Sequence, residues 1–251
     1  MRSSLDPVNI SGWKWSIFLD YTIETLLKLD LKEYPIDKQF IHHQSKFGTD
    51  SKYKEAVVKT WGCKTKKFSK VRAACVYSDG ITSVLNLVIV PSQYYDIPFF
   101  GADFVTLPSC HLLALDLQPI LNLDKEHTQF VWEKLMPLYN SWKDLFPKGG
   151  KIPEQARPFF SPGFLWSKVP IGEESDKLIS DFLFPAFKDY LDLYMQISSK
   201  AEKVNNLRSS DLIEGQTKYL QYRAQNDPAR GMLTRFFGSE WTEKYINEVL
   251  F

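Results

Sequence analysis

Helical periodicity on either side of one block of strand-like segments predicts an α+β sandwich. Two observations strengthen that reading. The block contains a hairpin turn signal, and its central strands are apolar on both faces, so each face needs a covering layer. Residues 13–29 place Trp13, Ile17 and Tyr21, then Leu26 and Leu27, near helical spacing, which predicts an amphipathic helix. Residues 37–54 are polar and read as loop. From Glu55 the pattern turns to strands: AVVKTWGC, FSKVRAACVY and ITSVLNLVIV, the last two separated by Ser78-Asp79-Gly80. Pro91 stops the third strand, YYDIPFFGAD leads into DFVTL, and CHLLALDLQ forms a further strand ended by Pro119. Around Asn86, Val84, Val88 and Val90 face one way and Leu85, Leu87 and Ile89 the other. The covering material follows. Residues 124–146 read as a helix broken at Pro137, and 175–199 as a helix capped by Ser175, with a Pro/Gly-rich loop over 146–163 between them. Helices near 214–225, from Asp227-Pro228 and from Ser239 complete the chain. With no repeat, linker or strand–helix alternation, residues 1–251 read as one domain.

Composition excludes several functions. The 251 residues carry 31 Lys plus Arg against 30 Asp plus Glu, a formal charge of +1, which argues against a nucleic-acid or membrane-surface binder. Hydrophobic residues at 44% and charged residues at 24% fit a globular chain. Aromatic residues make up 15%, enough to fill a core and also to wall a large, flat, unsaturated ligand. Cys63, Cys75 and Cys110 form no C-x-x-C, so no dithiol motif or zinc ribbon is written, and a four-thiolate cluster would lack a ligand. Three irregularly spaced cysteines fit a reducing cytosol. No apolar run reaches the ~18 residues that span a bilayer, and MRSSLDP has no signal core. The expected location is cytoplasmic. The chain lacks G-x-G-x-x-G after a strand, G-x-x-x-x-G-K, H-E-x-x-H and G-x-S-x-G. His42 and His43 are adjacent and read as surface residues. The expectation is a protein with no bound metal or organic cofactor.

Two segments carry a positive signal: 84–108 (VLNLVIVPSQYYDIPFFGADFVTLP) and 226–251 (NDPARGMLTRFFGSEWTEKYINEVLF). They hold Asn86 in a strand, Pro98, Gly101 and Asp103 as P-x-x-G-x-D, and Asp227 to Gly231 as D-P-x-R-G ahead of Phe237-Gly238. Together with ALDLQP, they resemble the ferredoxin-dependent bilin reductases, which reduce open-chain tetrapyrroles. DPVNISGWKW and CKTKKFSKVRAACV look most like the phycoerythrobilin-forming branch.

The resemblance implies a three-layer α/β/α sandwich with a central antiparallel sheet, the bilin lying between the sheet and the C-terminal helices. It also implies that reduced ferredoxin supplies electrons singly, that side chains supply protons, and that no cofactor is bound. Asp103 and Asp227 are then the expected proton donors. A carboxyl in a poorly hydrated aromatic pocket has its pKa raised, which suits it to give a proton near neutral pH. By residue chemistry alone, Asp103 also reads as a strand-start Asp bonded to a backbone N–H, and Asp227 as a helix cap ahead of Pro228. Asn86 is either a satisfied core amide or a contact to the tetrapyrrole. Phycocyanobilin-forming branches have His there, so Asn86 points away from that four-electron reaction. Phe100 is expected to help exclude water beside the substrate, and Arg223, Arg230 and Arg235 to pair its propionates or, equally, to make ordinary surface pairs.

Between residues 46 and 72, nine basic residues face two acidic ones. Lys64, Lys66, Lys67 and Lys70 are the expected docking surface for acidic ferredoxin, the alternative being a solvated strand edge. The expected reaction is two-electron reduction of the A-ring diene system of 15,16-dihydrobiliverdin to phycoerythrobilin. The resemblance adds the preceding bilin reductase as an expected partner for direct transfer of the substrate. Alternatives are reduction of biliverdin at its 15,16 bridge, a two-step synthesis of phycoerythrobilin, and a non-catalytic bilin carrier.

Overall fold

The computed structural model describes residues 3–49 and 52–251; Met1, Arg2 and Asp50, used in the leader and charge readings, lie outside the described residues. Among these, the centre is an eight-stranded antiparallel sheet. In chain order its strands are β1 (Lys32–Glu33), β2 (His42–Phe47), β3 (Lys54–Lys64), β4 (Phe68–Ser78), β5 (Thr82–Pro91), β6 (Phe99–Thr106), β7 (Cys110–Gln118) and β8 (Leu165–Pro170). The order across the sheet is β1-β3-β4-β5-β6-β7-β8, with β2 also paired to β3. The β4–β5 hairpin turns through three residues, 79–81, one position later than the expected turn. Gly80 supplies the φ of +62° there, which a side chain would resist.

Period-two alternation divides the apolar residues between two helical layers. Leu85, Leu87 and Ile89 of β5 join Phe100, Ala102 and Phe104 of β6 and Leu113, Leu115 and Leu117 of β7 on one face. There they meet α1 (Ser16–Leu26), α3 (Lys125–Trp142) and α5 (Phe184–Lys200). Trp13 and Trp15, just ahead of α1, donate indole N–H groups to Val84 O and Ser83 O at 2.9 Å each, fixing that segment to β5. Val84, Val88 and Val90 face the opposite way, toward α6 (Asn206–Gln225), α7 (Arg230–Phe237) and α8 (Ser239–Tyr245). The fold is therefore the expected helix–sheet–helix sandwich.

Several local expectations need correction. The polar stretch 37–54 is ordered: Asp37 caps the short α2 (Lys38–Ile41), taking the Gln39 N–H at 3.0 Å, and β2 follows. β2 is an edge strand, which carries polar residues without an apolar stripe. β8 was not expected at all; six residues ending in proline leave little alternation to read. Pro137 does not break α3. It is exposed, so the Glu133 carbonyl that loses its N–H partner can be hydrated. Ser175 is not a cap but the third residue of α4 (Glu173–Leu178), where its hydroxyl takes the Gly172 N–H at 3.1 Å. A π-helical turn, Ile179–Leu183, then passes into α5 just ahead of Pro185. α6 begins eight residues before the expected start, at an Asn205 cap.

Candidate active site

Asn86 and Asp103 stand directly opposite each other on β5 and β6, and Asp103 opposes Ala114 of β7. All three face the C-terminal helices. Gly101, two residues before Asp103, opposes Asp116. A Cβ at Gly101 would lie 2.9 Å from Gln118 Oε1, and Gln118 is held by the Tyr219 hydroxyl at 2.5 Å, so glycine lets the amide cross this strand. Asp103 thus sits on a continuous ladder behind a residue that cannot grow.

A cavity of about 360 Å³ opens over this face, within the ~300–1,000 Å³ of small-molecule sites. Asp103, Asp116 and Arg223 reach it from sheet and helix, and Lys151 from the 146–163 loop. Phe160, Phe164 and Trp166 form its aromatic wall. The rings of Phe160 and Phe164 stack at 4.0 Å and 8°, and Trp166 continues the same orientation at 6.3 Å and 9°. Parallel rings of this kind offer flat faces to a flat conjugated ligand.

The electrostatics separate the acids. Burial pushes the Asp103 carboxyl above its ordinary value, and Asp227 adds to the rise; Arg223, a hydrogen bond from Asn86 and Arg72 act against it. Asp227 is 9% exposed and accepts the Ala229 N–H at 2.7 Å. It closes a turn ahead of α7 and is not the helix cap that the sequence suggests: α7 begins at Arg230, with Ala229 in the cap position. Arg223, one helical turn before Asp227, lies between the acids electrostatically and stacks over the Phe251 ring at 5.4 Å.

Some expected site residues lie elsewhere. Phe100 is on the opposite face of β6, wholly buried against Phe187 and Tyr194, because its parity is that of Ala102 and not of Asp103. Arg230 pairs with Glu243 at 2.6 Å and donates to Ala224 O, outside the cavity wall. Arg235 stacks over Phe47 at 5.5 Å, beside Lys52 and Lys54. Lys67 spends its three donors on Ser198, Ser199 and Ala201 carbonyls, at the C-terminal end of α5. Lys70 is 7% exposed, bonded to Val249 and Phe251 carbonyls, and burial lowers its pKa to about 7. Lys70 is thus buried and Lys67 half-buried with its ammonium engaged, whereas Lys64 and Lys66 are exposed. Sequence reading missed Asp116, Lys151, Phe160, Phe164 and Trp166. The aromatic density of the 146–166 segment was the one signal that could have flagged the wall.

Fold and cavity define a class: an α/β/α protein with an aromatic-walled cavity over the sheet face that carries its C-terminal helices, and a buried acid on that wall. The profile of the family described as ferredoxin-dependent bilin reductase matches residues 19–251, and the chain belongs to that family. It is similar to the phycoerythrobilin:ferredoxin oxidoreductase of Synechococcus sp. (strain WH8020), 54% identical over 99% of this chain and 96% of that one. The protein of the same name from Prochlorococcus marinus (strain MIT 9303) is 51% identical over 99% and 97%. Among solved structures, tomato phytochromobilin synthase in complex with biliverdin superposes with a TM-score of 0.83, at 23% identity over 93% of this chain and 81% of that one, a likeness of fold. The chain is a ferredoxin-dependent oxidoreductase acting on a linear tetrapyrrole. Among the described residues, no helix is long and apolar enough to cross a membrane.

Proposed function

We propose that the chain reduces the A-ring diene system of 15,16-dihydrobiliverdin to phycoerythrobilin. Two reduced ferredoxins each give one electron, and two protons complete the balance. Asp103 donates a proton directly, and Asp227 is the second donor. The observation that carries the reading is Asp103: a carboxyl lifted by burial, on the wall of an aromatic cavity. A neutral acid beside a π-system that has just gained an electron converts added charge into a new C–H bond. Asn86 orients the substrate beside that acid, and Arg223 with Lys151 supplies cations for the propionates. The names of the two cyanobacterial relatives support the choice of product.

In this reading no redox cofactor is bound, since the conjugated substrate holds the odd electron between the two deliveries. The substrate is itself a partly reduced biliverdin, so the enzyme that makes it is the natural donor for direct transfer. Cytoplasmic operation fits three free, buried cysteines. Exposed Lys64, the last residue of β3, and Lys66, in the turn that follows it, are the docking residues that remain for ferredoxin.

The test is a paired assay with reduced ferredoxin, giving biliverdin and 15,16-dihydrobiliverdin separately. Phycoerythrobilin from the dihydro substrate alone is the expected result. Consumption of biliverdin would instead support the 15,16-reducing or two-step alternatives. Pigment binding with no ferredoxin-dependent spectral change would support a carrier.

A further inference from the structure

Arg72 of β4 is wholly buried, and among the described residues no carboxylate lies within ion-pair distance of it. Its Nη1 donates to Asn86 O at 3.0 Å and to Asn86 Oδ1, and its Nη2 donates to Leu250 O at 3.0 Å. Its Nε has no partner. An uncompensated buried guanidinium is costly, so its position beside the candidate site asks for an explanation.

The chemistry of the donor supplies one. A guanidinium has no acceptor, so the amide it touches must present oxygen, and the Asn86 NH₂ must point away from it. Asp103 is the residue opposite Asn86 on the next strand, and it receives that hydrogen bond. Turned over, the same amide would offer Asp103 a carbonyl oxygen, which a carboxylate repels and a carboxylic acid can donate to. The two orientations therefore have opposite effects on the acid. We propose that Arg72 is a positioning residue: its buried guanidinium holds the Asn86 amide in the one orientation that donates to Asp103.

This inference rests on the reading of Asp103 as proton donor. It makes Arg72 a brake on that acid: the clamped amide and the guanidinium charge favour the carboxylate, against burial and Asp227. Arg223 acts on Asp103 in the same sense from α6. Arg72 in turn faces Tyr245 of α8, Asp227 and Arg223, with Lys70 and Cys75 on its own strand and Tyr34 nearby. The planar fork matters because its two arms reach different elements, β5 and the turn after α8. Lysine at this position keeps the charge and loses the fork.

The experiment follows the Asp103 carboxyl band by infrared difference spectroscopy against pH in the ligand-free chain, with D103N to assign the band. It needs no substrate, so its outcome is separate from that of the paired bilin assay. In R72K the midpoint should rise by roughly one pH unit, the effect of one lost hydrogen bond. In R72M, which also removes the charge, it should rise further. N86A should reproduce the R72K shift, and R72K added to N86A should change nothing more. Turnover should show its alkaline limb displaced upward to match. Unchanged midpoints in both Arg72 variants, or an R72K shift that persists in N86A, would overturn the proposal. Should the Arg72 variants not fold, the unaltered chain still decides: the Asn86 side-chain amide protons, assigned by their loss in N86A, should exchange slowly. Rapid exchange would sink the clamp.

Discussion

Asp103 and Asp116 share one sheet face, and burial lifts both carboxyls for different ends. Asp103 opens onto the cavity, whereas Asp116 is 1% exposed and holds the 146–163 loop, accepting the Ser161 N–H at 2.9 Å and the Ser161 hydroxyl. In D103N the amide keeps the shape of the acid but has no proton of suitable acidity to give. Bilin binding should stay within about threefold while product formation falls by about 10²–10⁴, read by single-turnover absorbance with reduced ferredoxin. For Asp116, burial raises the pKa to about 7 against the Ser161 bonds. Its raised folded value means that stability is fullest below the unfolded value of ~4 and is lost as pH rises through about 7. D116N, which resembles the neutral acid, should gain stability over the parent progressively across that window and level off above it, measured by urea unfolding at several pH values. At this scale Asn86 and Asp103 were legible through the resemblance to the bilin reductases, since residue chemistry alone left both with a structural reading; that they stand opposite each other comes from the strand register. Phe100 was misread because adjacency to Asp103 suggested a shared environment, and in a strand adjacency means opposite faces.

Elements meet at a second polar cluster, remote from the cavity. His127, at the start of α3, accepts the Ile120 N–H on Nε2 at 2.9 Å, which leaves Nδ1 to donate to Asp96. Arg208, at the start of α6, pairs with Asp96 and with Asp124, the cap of α3. One guanidinium thereby joins the β5–β6 connection to the first turns of two helices in opposite layers. Burial raises the Asp96 pKa, but His127 and Arg208 together outweigh it, and the net shift is downward. The stabilisation is present above the ordinary carboxylate range and lost as pH falls through the depressed folded value. R208M should lower stability at pH 7 by about 2 kcal/mol after discounting for the solvent that reaches the pair. That loss should narrow on acidification, followed by calorimetry. None of this could be read from the sequence, because its four side chains come from three segments far apart in the chain. The apolar strands β3 to β7 were legible for the converse reason: they are buried on both faces and read as nearly continuous hydrophobic runs. β2 and β8 lie at the margins of the sheet, where sequence is freer.

At the scale of the molecule, a near-neutral chain carries a local excess of lysine that the fold divides. Lys67, Lys70 and Arg72 turn inward to carbonyl oxygens, while Lys64 and Lys66 stay in solvent. A count of charges along the chain cannot make that division; only the strand ends and the packing of α5 and the last turn do. Reversing the two exposed lysines, in K64E/K66E, should slow association with ferredoxin about tenfold at low salt. The difference from the parent should shrink as ionic strength rises, in stopped-flow mixing of reduced ferredoxin with the bilin-loaded enzyme.

All three thiols are buried, and desolvation holds Cys63 up at about 12 and Cys75 higher than its ordinary value. Thiolate, the reactive form, is accordingly scarce at Cys63 and Cys75 at neutral pH, and burial shields the Cys110 sulfur from reagents. Maleimide chemistry on the intact native protein should find almost nothing to label. A single cysteine introduced in place of Lys66 would then carry a fluorophore or spin label as a solitary beacon, reporting the arrival of the electron donor without stripping the resident sulfurs from the interior.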